Sequence, residues 1–192
     1  MGSWLRFRRV NGAERNGKRI LVRFARDKDG AVAIEFIALA LPFSLLLFAI
    51  LESCISFAGQ QMLTNATDNV ARQLRTGQIK ASDMNEVKLK NAICEQLEII
   101  VAAGCPGLEV DLRQFATFAD AAKERIKFTG DNDIDTSGFG VDPGLSLSKN
   151  MLRVFYRWPV ITDYMRKSMA GLKDGKTLHF ATVTWQNEPF DD

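Results

Sequence analysis

The chain reads as an α+β protein led by one very long helix. Three observations predict this. An apolar run extends from Ala31 to Leu51, its only charged residue the single acid Glu35 near its start. Apolar residues then continue at spacings of three and four as far as Leu74, and three later segments alternate apolar and polar residues as strands do. The expected organisation is a basic leader over 1–30, a membrane-crossing helix over 31–51, a helical stem over 52–76 and a folded domain over 77–192.

The leader carries nine Lys and Arg against three Asp and Glu, so positive-inside logic keeps it cytoplasmic and places the chain from about Glu52 outside. Its excess of +6 leaves −4 for the remainder of a chain whose formal charge is +2. Basic character confined to such a leader is topogenic and lipid-facing, not a nucleic-acid surface. At about 1.5 Å per residue, the twenty-one positions of the run cover roughly 31 Å, the hydrocarbon thickness of a bilayer. A removable signal peptide fits poorly: the basic region is too long, the apolar run exceeds an h-region, and Leu51-Glu52-Ser53-Cys54 has no A-x-A site. Pro42 removes one backbone hydrogen bond within the span, which membrane helices tolerate.

Beyond the membrane, Ile55, Met62, Leu63, Ala66, Val70 and Leu74 form the expected apolar face of the stem, giving a helix of some forty-five residues that stops at Gly77. A second helix is expected from Ser82-Asp83-Met84-Asn85-Glu86 to the Gly104-Cys105-Pro106-Gly107 turn, with Val87, Leu89, Ile93, Leu97, Ile100 and Val101 inward. Strands are expected at Leu108–Arg113, Leu152–Trp158 and Leu178–Trp185, with a short helix over Thr162–Leu172. The Gly-, Asp- and Ser-rich stretch 129–148 reads as a loop with freedom to move. Its Asp131, Asp133, Asp135 and Asp142 echo a calcium loop, but Thr136 stands where a glycine is needed, so a solvated acidic turn is the expectation.

Chemistry-bearing groups are sparse. His179 is the only histidine and lies in a strand, and no G-x-S-x-G or G-x-x-x-x-G-K-[ST] sequence occurs, so neither a serine nucleophile nor a phosphate-binding motor is indicated. Zinc has no C-x-x-C to hold it, and no cofactor is expected. Phe155, Tyr156, Trp158 and Trp185 fit a sheet core or a subunit contact better than a nucleobase platform. Cys94 and Cys105, with ten residues between them, could close a disulfide in an oxidising compartment. Cys54, at the membrane exit, reads as a small buried residue or as an intermolecular crosslink.

Glu35 needs an explanation, because a carboxylate within an apolar span costs on the order of 2.5 to 3.5 kcal/mol at the bilayer centre. One reading puts it among the headgroups, where its charge favours the helix N-terminus. The other uses spacing: a cut between Gly30 and Ala31 would make Glu35 the fifth residue of the new chain and Phe36 the sixth. Gly30-Ala31-Val32-Ala33-Ile34-Glu35-Phe36, the following Ala38-Leu39-Ala40-Leu41-Pro42, and the terminal Trp185-Gln186-Asn187-Glu188-Pro189-Phe190 together resemble the TadE-like family of the tight-adherence, or Flp-type, pilus machinery.

That resemblance implies a pilin-like arrangement, a prepilin peptidase cutting after Gly30, and Glu35 pairing with the freed amine of a neighbouring subunit. Phe36 completes the motif. The partners implied are other pilins or pseudopilins and an inner-membrane assembly platform, with the C-terminal domain in the periplasm of a bacterium. The expected function is a minor pilin or pseudopilin that initiates, primes or caps a pilus for surface attachment. An uncut bitopic adaptor or anchor of the same machinery is the alternative. A tethered periplasmic enzyme or calcium-dependent binder is the remote one, needing a convergent polar pocket around His179 or calcium in the 131–142 loop.

Overall fold

The computed structural model describes residues 30–190, so the leader up to Asp29 lies outside the described residues. In order, the elements are α1 (Ala31–Arg75), a 3₁₀ turn (Ala81–Asp83), α2 (Glu86–Leu97), β1 (Leu108–Phe115), α3 (Phe118–Ala121), β2 (Lys149–Pro159), α4 (Asp163–Met169) and β3 (Lys176–Gln186). The fold is α+β, as the sequence predicts. Contacts divide the chain into two compact units, with the boundary after Leu47.

In the first unit α1 is apolar on every side. Val32, Phe36, Leu39 and Phe43 are all at least 61% exposed, and Pro42 sits within the helix without ending it. A helix this long and apolar, with none of the described residues covering its first part, meets the length and composition requirements of a membrane span.

In the second unit the rest of α1 becomes one-sided. Glu52, Ser56, Gly59, Leu63, Ala66, Thr67, Val70, Ala71 and Leu74 form the buried line, recurring at helical spacing. Ile55, expected on this face, is exposed instead, because the inward line passes through Glu52, Ser56 and Gly59. The helix closes at Gly77, whose φ of +69° suits a residue without a side chain. Gln78 N–H bonds to Gln73 O (3.0 Å) and Gly77 N–H to Leu74 O (3.2 Å), the paired bonds of a Schellman cap.

The second helix is shorter than its sequence pattern implies. Asn85 supplies the cap, its side chain accepting from Lys88 N–H (2.9 Å), so Ser82 and Asp83 fall in the preceding 3₁₀ turn and the helix begins at Glu86. It ends at Leu97, and Val87 and Ile100 are exposed while Leu89, Ile93, Cys94 and Leu97 are buried.

The three strands form one antiparallel sheet in the order β1-β2-β3. Register aligns Val110, Val154 and Ala181, and Leu112, Leu152 and Val183, on the face that packs with Leu63, Ala66 and Val70 of α1 and Leu89 and Ile93 of α2. The opposite face is also covered. β2 is buried from Asn150 to Tyr156, and residues 129–148 supply the second cover. Phe139 stacks on Phe155 at 5.4 Å, Ile134 is buried, and Leu112 exchanges 2.8 Å backbone bonds with Gly140 O and Asp142 N–H. The stretch expected to be a free, solvated turn is therefore bound to β1 and β2, because a central strand buried on both sides needs a second layer.

That layer encloses a charge. Asp111 is fully buried; its carboxylate accepts from Arg153 Nε (2.9 Å) and Nη2, from Arg113 (3.1 Å) and from Gly140 N–H (3.2 Å). Both oxygens find donors, Oδ2 the two arginines and Oδ1 Gly140 N–H, as burial of a charge demands.

Candidate functional site

Gly30 lies in an exposed turn ahead of α1. Its carbonyl accepts the first helical bond from Ile34 N–H (3.1 Å), and among the described residues nothing beyond its chain neighbours stands within 4 Å of the place a Cβ would take. Ala31 begins the helix. Glu35 and Phe36 follow one turn later, both exposed, and Glu35 has no ion-pair partner among the described residues. Ala31 and Glu35 are one helical turn apart. An acid with no counter-charge among the described residues, on an otherwise apolar helix surface, is stabilised by a cation or by a place at the headgroups.

Cys94 and Cys105 belong to the second unit, where the structure brings them into disulfide geometry between α2 and the turn before β1, with their Cα atoms 5.7 Å apart. Cys54 is exposed, which corrects its reading as a small buried residue: its position falls off the Glu52–Ser56–Gly59 line.

A second constellation, absent from the sequence reading, begins at Glu52, the first residue after the apolar run. Its carboxylate is 5% exposed and accepts from the backbone N–H groups of Ile161 and Thr162 and from the Thr162 hydroxyl. Thr162 in turn caps α4, accepting from Met165 N–H (3.4 Å). One turn along α1, Ser56 Oγ meets His179 Nε2 at 3.0 Å, and Trp158 stacks on the imidazole with centroids 5.0 Å apart. Gly59 makes that approach possible, since a Cβ there would lie 2.4 Å from the Trp158 ring. Gln60 then pairs with the outer edge of β3 as a neighbouring strand would: its Nε2 donates to Phe180 O (2.8 Å) and its Oε1 accepts from Phe180 N–H (3.2 Å).

The terminal Asn-Glu-Pro-Phe completes this attachment at the other end of α1. Asn187 Nδ2 donates to Gly144 O (2.8 Å) and Leu145 O (2.9 Å), while its Oδ1 accepts from Trp185 Nε1 (2.7 Å). Glu188 N–H bonds to Arg75 O (2.9 Å), and Phe190 covers Gly77. β3 and the residues that follow it therefore run along α1 from Ser56 to Arg75. The signal for this in sequence was the continuation of the three-and-four spacing upstream of Leu63 through Gly59, Ser56 and Glu52, obscured because none of the three is apolar.

Ser56 and His179 make a hydroxyl–imidazole contact, so their chemistry needs testing. Both are about 5% exposed, Trp158 seals the ring, and Nδ1 has no partner. Burial holds the imidazole pKa down at about 4, keeping it neutral. A base that substrate cannot reach and that no carboxylate orients is a packing element. The four loop aspartates also diverge: Asp131 pairs with Lys173, Asp133 with Arg157, Asp135 accepts from Ser137 N–H and Asp142 from Gln114.

Residues 30–72 match the family model for TadE-like proteins. The matched TadE-like segment starts at Gly30 and takes in Glu35, Phe36, the whole apolar run and most of the stem, and it is the family the sequence resembles. The match covers less than a quarter of the chain, so it is a likeness of the long N-terminal helix to TadE-like proteins, and among the described residues that helix is the candidate membrane span. Comparison with curated proteins and with solved structures returns no match.

Proposed function

We propose that the protein is a minor pilin or pseudopilin of a Tad pilus, cut after Gly30 and helping to initiate, prime or cap assembly for surface attachment. The observation that carries this reading is the coincidence of the first matched residue with the physical start of the helix. The TadE-like match begins at Gly30, the last residue before α1, and among the described residues nothing beyond its chain neighbours stands within 4 Å of a Cβ placed on it. A glycine there offers a protease cleft an unobstructed backbone. Cleavage leaves an amine on Ala31 and a carboxylate on Glu35 within one turn of a helix otherwise suited to lipid. Each lowers the cost of burying the other when two subunits pack side by side, which fixes their register. Residues 31–51 cross the inner membrane, the leader faces the cytoplasm, and the domain from 77 onward, carried by the 52–76 stem, faces the periplasm. The partners are a prepilin peptidase, other pilins and the inner-membrane platform.

The test is the intact mass and N-terminal sequence of protein recovered from membranes with and without the peptidase, beside a Glu35→Ala variant. The expected result is a peptidase-dependent N-terminus at Ala31 and, for the variant, normal cleavage with loss of pili. A full-length chain in both strains would instead leave an uncut bitopic adaptor. Alkylation before and after reduction, read in the same spectra, reports whether Cys94 and Cys105 are joined.

A further inference from the structure

The two edges of the sheet are finished differently. On β1 the outward backbone is interrupted: Leu112 bonds to Gly140 O and Asp142 N–H, and Leu108 N–H bonds to Cys105 O (3.1 Å). On β3 the outward residues are the even-numbered ones, because Phe180 makes both main-chain bonds to the Gln60 side chain and successive strand residues alternate between the two sides. Gln60 closes the edge at that one place. Beyond it Thr182, Thr184 and Gln186 also face outward, and among the described residues nothing hydrogen-bonds the main-chain N–H and C=O of these three. The open run is about 14 Å long. Proteins blunt such edges with charge, proline or a bulge, yet Thr182-Val183-Thr184-Trp185-Gln186 carries no charge and no proline, and its pairing with β2 is unbroken.

A groove of about 270 Å³ lies between this part of β3 and α1, with Asp68 and Arg72 on the helix wall and Val183 and Thr184 on the strand side. Arg75, further along the wall, is held by Glu188 (3.5 Å). Asp68 and Arg72 are exposed and make no ion pair among the described residues, with each other or with any third group. They stand one turn apart, about 6 Å along the helix, and alternate side chains of an extended chain stand about 6.8 Å apart. An extended segment bonded to Thr182 and Thr184 therefore turns every second side chain toward α1, where a cation and an anion two residues apart meet Asp68 and Arg72 together. The geometry points to strand addition at this edge: an extended segment of another polypeptide, carrying opposite charges at alternate positions, pairs with Thr182–Gln186 as a fourth strand. The site needs neither the proposed cleavage nor the membrane span.

The test uses the full chain in detergent and two end-blocked peptides, Thr-Lys-Thr-Glu-Thr-Val-Thr and Thr-Glu-Thr-Lys-Thr-Val-Thr, which offer the charge pair in either chain direction. Amide hydrogen exchange is read residue by residue, with and without excess peptide. In the free chain Thr182 and Thr184 should exchange faster than Ala181 and Val183, whose amides face β2. Saturating peptide, in one of the two orders, should slow Thr182 and Thr184 by about tenfold, the effect of one new main-chain bond at each. Arg72 is exposed, so Arg72→Glu leaves the fold intact and should weaken peptide binding about two- to fivefold. No slowing with either peptide overturns the site. Free-chain exchange at Thr182 and Thr184 as slow as at Val183 overturns it too: if dilution of the protein speeds that exchange, a second copy holds the edge, and if it does not, the chain closes the edge itself. An Arg72→Glu chain that binds as tightly as the native one overturns the charged partner.

Discussion

The two halves of α1 share one backbone geometry and differ in what completes them. From Ala31 to Leu51 the helix is apolar all round, and its large side chains are exposed over its whole circumference. From Glu52 to Arg75 it is one-sided, and even its buried polar groups have partners within the chain: Glu52 on the Ile161–Thr162 turn, Ser56 on His179, Thr67 on Leu63 O. The second half brings its own interior. The first has none among the described residues, which is why a carboxylate at Glu35 is informative there while a buried carboxylate at Glu52 is a structural joint.

The sharpest way to break this comparison is to make one deletion in both halves. Leu63 is 1% exposed against the sheet and Leu46 is 58% exposed. Leu63→Ala should destabilise the folded domain by about 2 to 5 kcal/mol, whereas Leu46→Ala should change it by less than about 0.5 kcal/mol. Denaturation of the full chain in detergent, followed by the fluorescence of Trp158 and Trp185, checks both. Similar losses at the two positions would mean that the first half is also packed against its own chain.

Sequence reading was most reliable where one physical demand acted alone. The apolar run, the Gly77 stop and the three strands each follow from a single periodicity or a single backbone requirement, and the observed strands extend the expected ones by only one to three residues at an end. It failed where tertiary contacts reassigned residues. Asp111 and Arg153 occupy polar positions of alternating strands and were unremarkable, yet they form the buried charge cluster beneath the 129–148 layer. Glu52, Ser56 and Gly59 lie on the inward face of α1, but an acid, a hydroxyl and a glycine carry no hydrophobic signal. Their partners, Ile161, His179 and Trp158, are more than ninety residues away, and no local pattern encodes that distance.

A smaller effect separates the halves by pH. The buried joint contains His179, held neutral with its pKa near 4, whereas an unfolded histidine titrates near 6.5. Between those values the unfolded chain takes up a proton that the folded chain refuses, so stability is fully present above pH 6.5 and falls as pH drops, by about 1.4 kcal/mol per unit at most and about 3 kcal/mol in all below pH 4. Urea midpoints measured from pH 7 to 5, above most carboxylate titration, should decline for the native chain. They should flatten in His179→Gln. A native profile already flat in this range would mean that the imidazole reaches water and that the Trp158 seal is open.

The smallest of the three effects tests how closely the stem approaches the sheet. Gly59 is the one position on the inward line of α1 where an added methyl would meet rigid ring carbon, 2.4 Å from Trp158. Two terms oppose each other in Gly59→Ala. Alanine favours the helix by up to about 1 kcal/mol, through lower backbone entropy in the unfolded chain. The ring must also retreat, disturbing its stack on His179 and with it the Ser56 bond, and overpacking of this kind costs about 1 to 3 kcal/mol. The net expectation is a loss of about 1 kcal/mol, accompanied by a rise in the His179 pKa as the seal loosens. A stabilised Gly59→Ala chain with an unchanged histidine titration would show that Trp158 has room to move, and that the glycine is there for a partner outside this chain.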